Sequence, residues 1–135
     1  TEVMFLPGGV AYIYLCYGIH HLFNVVTGAE HNAQAVLIRA VEPLEGIHRM
    51  CVNRNFPKRK FDLTNGPGKW TQAMRISTAL NGYSIVGDIL SIWEDESNPT
   101  HEIEQSNRIG IDYAEECRDW PWRFHLKHSN YISRR

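Results

Sequence analysis

A chain of 135 residues is long enough for one domain with a core and too short for two. Four Trp, six Tyr and five Phe in a sequence that is 43% hydrophobic exclude a disordered protein, and no apolar run approaches the ~18 residues of a membrane helix. The net charge of −1 announces no polyanionic partner, and Cys16, Cys51 and Cys117, an odd set without CxxC spacing, fit reduced thiols better than a disulfide framework.

The chain begins at Thr1, not at Met, and runs almost at once into an apolar, strand-like segment, so an upstream portion is expected. No export signal is visible, which points to an intracellular protein. Residues 9–26 are rich in Val, Tyr, Ile and Phe around Gly18 and predict two strands joined by a tight turn. Period-two alternation sets Tyr12 and Tyr14 on one face, with Ile13 and Leu15 opposite. Residues 35–41 (AVLIRAV) suit a strand buried on both faces and interrupted by one charge, Arg39. After Pro43, residues 44–53 have helical spacing through Leu44, Ile47, Met50 and Cys51. Residues 54–64 read as a loop, 65–68 as a turn, and 69–80 as a short helix carrying Trp70, Ala73 and Met74. A strand is predicted over 85–93, an acidic exposed connection over 94–104, and short strands over 108–111 and 122–126. Strands come first, helices are interspersed, and no βαβ alternation or internal repeat exists. This is an α+β pattern, a single domain with a mainly antiparallel sheet.

Charge is unevenly placed. Residues 39–75 hold eight Lys or Arg against Glu42, Glu45 and Asp62, whereas residues 94–119 hold nine acids against Arg108 and Arg118. Arg123, Lys127, Arg134 and Arg135 close the chain with no acid among them. A basic middle and tail can grip phosphate on a nearly neutral protein, although ordinary clustering on a solvated surface explains the same pattern.

Three features carry chemistry. Arg39 in an apolar strand is costly to bury unless it snorkels at a sheet edge, pairs with a carboxylate such as Glu42, or orients a substrate or water. Tyr12, Tyr14 and Tyr17 on one hairpin are either sheet packing or stacking surfaces for nucleobases, and Tyr17 precedes Gly18 at the turn, where core packing does not explain it. The run Asn65-Gly66-Pro67-Gly68-Lys69 is either the start of a helix with a surface lysine or an anion-binding turn, and it lacks Walker spacing. His20, His21 and His31 near Cys16 are too irregular for a zinc set, and His125 and His128 read as surface groups.

Taken together, YIYLCYGIHHLFNVV (12–26), VLIRAVEPLEG (36–46), NGPGKWTQAM (65–74), RIGI (108–111) and WRF (122–124), with Ser133 near the end, resemble the alkyladenine (3-methyladenine) DNA glycosylase family, in family order along the chain. The resemblance implies a curved antiparallel sheet, short helices and a protruding hairpin that inserts into DNA. It implies that Tyr17 fills the gap left by a flipped nucleotide, with Gly18, Ile19 and His20 against the DNA backbone. Tyr14 and its neighbour Tyr12 would pack on the flipped base, and Asn24 would disfavour the amino group of guanine. Arg39 would hold the attacking water with the backbone carbonyl of Ile111, and Lys69 would contact phosphate. No metal or cofactor is implied. The partner would be double-stranded DNA containing damaged purines, bound by a monomer.

The family's general-base glutamate lies in a motif upstream of the hairpin that this sequence does not contain. On that reading residues 1–135 are an incomplete glycosylase domain, and neither Glu42 nor Glu45, in the turn after Arg39, takes the role of base. Arg123-Phe124-His125 stands where the family has RFY, and Trp70 where Leu is common. Hydrolysis of the N-glycosidic bond of an alkylated or deaminated purine is therefore set beside a second reading, a non-catalytic module that binds abasic or damaged DNA.

Overall fold

The computed structural model describes residues 2–95, 101–110 and 119–133. Strand β1 (Ala11–Cys16) turns into β2 (His20–Val26), and the two pair antiparallel from Ala11 opposite Val25 to Cys16 opposite His20. β3 (Ala35–Leu37) lies along the other side of β2, giving a three-stranded antiparallel sheet in the order β1-β2-β3. Two helices, α1 (Ile47–Asn53) and α2 (Pro67–Ala73), follow among the described residues. β4 (Ile103–Ser106) and β5 (Arg123–Leu126) form a separate antiparallel ribbon. The class is α+β with antiparallel sheets, as the pattern predicts. No helix among the described residues is long and apolar enough to cross a membrane.

Alternation decides where the core lies. Ala11, Ile13 and Phe23 point to one side of the sheet, where Trp70 of α2 and Ile76 beyond it close over them. Trp70 meets Phe23 edge-on, with ring centroids 5.3 Å apart, a geometry contributing about 0.5–1.5 kcal/mol beyond its burial. Its indole Nε1 donates to the Ile38 carbonyl at 2.9 Å, so the polar edge of the ring is satisfied inside the core. The buried Thr71 hydroxyl donates to the His21 carbonyl at 2.7 Å and pins the same helix to β2.

Local chemistry sets the helix ends. Pro67 occupies the first turn of α2, where its preset φ suits the helix and its missing N–H removes no bond. Both helices close with the same pair of backbone bonds. In α1, Phe56 N–H reaches the Cys51 carbonyl and Asn55 N–H the Val52 carbonyl; in α2, Ile76 N–H reaches Thr71 and Arg75 N–H reaches Gln72. That closure requires a left-handed residue, filled by Asn55 (φ 55) in α1 and by Arg75 (φ 55) in α2.

The same closure corrects the helix predicted over 69–80. It begins at Pro67 and stops at Ala73, and only a short 3-10 turn, Thr78–Leu80, follows. The helix predicted over 44–53 starts late, because Gly46 is left-handed (φ 71) and holds off the first turn until Ile47. The strand predicted over 35–41 is shorter and differently buried. β3 ends at Leu37, has β2 as its one strand neighbour among the described residues, and leaves Val36 52% exposed. Residues 85–93 contain an isolated bridge between Val86 and Ser91, not a strand. Residues 54–64 include a 3-10 turn, Lys60–Leu63. Part of the segment expected to be an acidic connection is β4, and Arg108, Ile109 and Gly110 are not strand, Gly110 being left-handed (φ 74).

Candidate nucleic-acid interface

At the hairpin tip, Tyr17 (φ 52) and Gly18 (φ 69) both have positive φ, as a type I′ turn requires, and Ile19 N–H bonds to the Cys16 carbonyl at 3.1 Å. A Cβ on Gly18 would meet nothing within 4 Å, so glycine serves the backbone conformation there and not the space. The left-handed region costs an ordinary L-residue roughly 1–2 kcal/mol. Tyr17 bears that strain while 91% exposed, and Ile19 beside it is 70% exposed. Large apolar groups are presented to solvent on a turn better suited to small ones.

Behind the tip, the sheet face opposite the core carries the expected pocket residues. Tyr12 stands opposite Asn24, and Asn24 opposite Leu37, so the three form one row across the strands. Tyr14 is two residues along, its ring 5.4 Å from that of Tyr12. The buried Asn24 donates from Nδ2 to the Tyr12 carbonyl at 3.2 Å, which fixes its amide plane. The Ile38 N–H bonds to the Phe23 carbonyl at 3.0 Å and carries the chain alongside β2 one residue past β3, toward Arg39.

Arg39 is half-buried and lines a cavity of about 380 Å³ together with Glu42, Arg123 and Tyr131. Tyr12, Tyr14 and Asn24 do not line that cavity. The structure thus brings Tyr12 and Asn24 into one row, with Tyr14 beside Tyr12, and sets Arg39 in a separate depression. Burial raises the pKa of the Tyr131 phenol above its ordinary value, and the Glu42 carboxylate raises it further.

Lys69 does not stand as an isolated point charge. Its Nζ donates to Asn65 Oδ1 at 2.9 Å and lies 4.0 Å from Asp62 Oδ1. Gly68 has a packing reason: a Cβ there would fall 2.8 Å from His20 Nδ1, so the histidine ring rests directly on the first turn of α2. Ile111 lies outside the described residues.

Sequence reasoning missed several side chains. Arg54 donates to the carbonyls of Leu63 and Asp62 and to Gln72 Oε1, tying α1 to α2 and to the segment before it. Arg123 is buried and donates to Ser106 Oγ at 3.1 Å, a role that its place in the WRF segment hinted at without specifying. His125, expected as a surface group, has a side chain only 8% exposed, with Nε2 2.8 Å from Glu104 Oε2. The β4–β5 register sets the two residues opposite each other, a pairing across chain distance that no local pattern shows. Among the described residues no three His, Cys, Asp or Glu side chains gather as a metal site.

Comparison with known proteins supplies the last observation. The sequence model of methylpurine-DNA glycosylase matches residues 1–130. A protein of Desulfitobacterium hafniense named as a 3-methyladenine DNA glycosylase is 47% identical over 141 residues, spanning 98% of this chain and 68% of that protein. Similarly named proteins of Alkaliphilus oremlandii and Clostridium botulinum are 45% and 42% identical, each aligned over 100% of this chain and 70% of its own length. Agreement of this extent, along nearly the whole chain, shows that it belongs to the methylpurine-DNA glycosylase family of DNA-repair hydrolases.

Proposed function

We propose that this protein acts on damaged double-stranded DNA as a monomeric intracellular glycosylase of alkylated or deaminated purines, 3-methyladenine and hypoxanthine among them. The observation that carries the reading is the exposed, strained Tyr17 at the hairpin tip. Strain retained at an exposed position points to use, because nothing in the packing requires it. Tyr17 wedges into the base stack from the minor groove, and Gly18, Ile19 and His20 lie along the DNA backbone. The damaged nucleotide rotates out of the duplex, which costs least where pairing is already impaired. Tyr14 and Tyr12 offer aromatic faces to the extruded base, while Asn24, with its amide plane fixed, meets the edge where guanine carries an amino group. Arg39 and the Ile111 carbonyl orient the attacking water, and Lys69 contacts phosphate. Water attacks the anomeric carbon as the sugar gains oxocarbenium character, a glutamate takes the proton, and the purine leaves. Neither Glu42 nor Glu45 is that glutamate; both belong to the turn after Arg39. The segment carrying the base is proposed to be supplied by sequence beyond these 135 residues, which form part of one glycosylase domain.

The rival reading, a lesion-binding module without turnover, keeps the same wedge and row of pocket residues. Single-turnover excision from hypoxanthine- and 3-methyladenine-containing duplexes, run beside abasic-site binding, separates the two. Base release by the protein establishes hydrolysis, and binding without release leaves the module. Equal affinity for damaged and undamaged duplexes would sink both.

A further inference from the structure

A second groove, of about 840 Å³, runs between the hairpin and the helices, and the pocket row does not line it. Ile19, His20 and His21 form one wall; Thr71, Gln72 and Arg75 belong to the other. Among the described residues no carboxylate lines it. Gln72 accepts from Arg54 through Oε1 at 2.8 Å, which leaves its amide nitrogen to donate. The His20 ring is seated on Gly68, where even a methyl group would displace it.

Arg75 is the informative residue. It occupies the left-handed position that closes α2, where glycine or asparagine is the usual choice and where α1 has Asn55. An arginine at φ 55 is strained, and its cation is exposed beside the groove. A cation at a helix C-terminus has a structural benefit of its own, so the test must separate that benefit from ligand binding. Since Ile19 and His20 belong both to the groove wall and to the hairpin tip, anything that receives the tip must lie alongside this groove.

We propose that this groove holds the sugar–phosphate backbone of the DNA strand flanking the lesion, with Arg75 paired to a phosphate and His20 and the Gln72 amide donating beside it. This rests on the reading of the hairpin as a DNA wedge and assigns one of the phosphate contacts that accompany it.

The probe is a duplex carrying a tetrahydrofuran abasic analogue, with an undamaged duplex as control, followed by fluorescence anisotropy across a salt series. One phosphate contact contributes a slope of about −0.9 to log K against log salt, so removing Arg75 lowers affinity roughly eightfold at ~0.1 M salt and hardly at all at ~1 M. Arg75→Gly suits the left-handed backbone. It is expected to weaken both duplexes alike and flatten the slope by about 1, without lowering Tm. Arg75→Lys retains the slope. If the glycine variant melts early, Arg75→Gln reads the slope in its place. A wild-type slope in the charge-free variant overturns the proposal, as does the absence of salt-dependent binding by the parent protein. The wedge fails separately: Tyr17→Ala then leaves lesion preference intact while Arg75→Gly still flattens the slope.

Discussion

Replacing Tyr17 with asparagine sets stability against recognition. The new tip, Asn-Gly, is the preferred sequence for a type I′ turn, because asparagine tolerates the left-handed region that tyrosine resists. Tyr17 is 91% exposed, so little buried surface is lost with the ring. Relief of most of a strain of roughly 1–2 kcal/mol leaves a net stabilisation of about 0.5–1 kcal/mol. For a domain of this size that raises Tm by about 2–4 °C. Loss of a stacked aromatic ring removes about 1–3 kcal/mol of interaction with the DNA stack, or roughly 5- to 150-fold in preference for the abasic duplex. Calorimetry and anisotropy on one preparation of Tyr17→Asn read both quantities. Stability must rise while lesion preference falls. If Tm drops, the ring packs against something and the turn is not strained on its account. If preference survives, the tip does not enter the stack, and the reading of the hairpin is wrong.

Other consequences are more local. Trp70→Leu, which installs the residue common in the family, leaves the Ile38 carbonyl without its indole donor and removes core volume; urea denaturation should show a loss of about 2–4 kcal/mol. Gly68→Ala forces a methyl against His20 and should cost about 1–3 kcal/mol, largely recovered in the Gly68→Ala/His20→Ala double variant if the clash is with that ring. The raised pKa of Tyr131 means that the unfolded chain ionises first as pH climbs. Its stabilising contribution is therefore complete below the ordinary tyrosine pKa and is lost above it. Tyr131→Phe should flatten that alkaline decline in a stability–pH series.

The hairpin was legible because its signals agree: β-branched and aromatic residues alternate with period two and break at one glycine. Tyr12, Tyr14 and Asn24 fall together because the register between two adjacent strands follows from so short a turn. Residues 35–41 misled because a continuous apolar run does not reveal how many neighbours a strand has, and among the described residues β3 has one. The end of α2 was hidden in Arg75, a residue type that gives no warning of a left-handed backbone. His125 and Glu104 meet only through the pairing of β4 with β5, so their contact was invisible to any local window.

The run from Asn65 to Trp70 offered itself as an anion-binding turn, and the structure gives it a further role. Gly68 seats the His20 ring, Thr71 fixes the His21 carbonyl, and Trp70 fixes the carbonyl of Ile38, the residue before Arg39. One short helix therefore holds β2 next to the hairpin tip and the backbone leading to Arg39 by three separate contacts. Arg54 braces the helix through Gln72. In the proposed reaction the wedge and the water-holding arginine must keep a fixed spacing while the base rotates out, because misplacement by an ångström is costly in rate. A rigid helix under both meets that requirement better than a flexible phosphate loop. Glycine at 68 is then explained by the close approach of β2, whether or not a phosphate reaches Lys69.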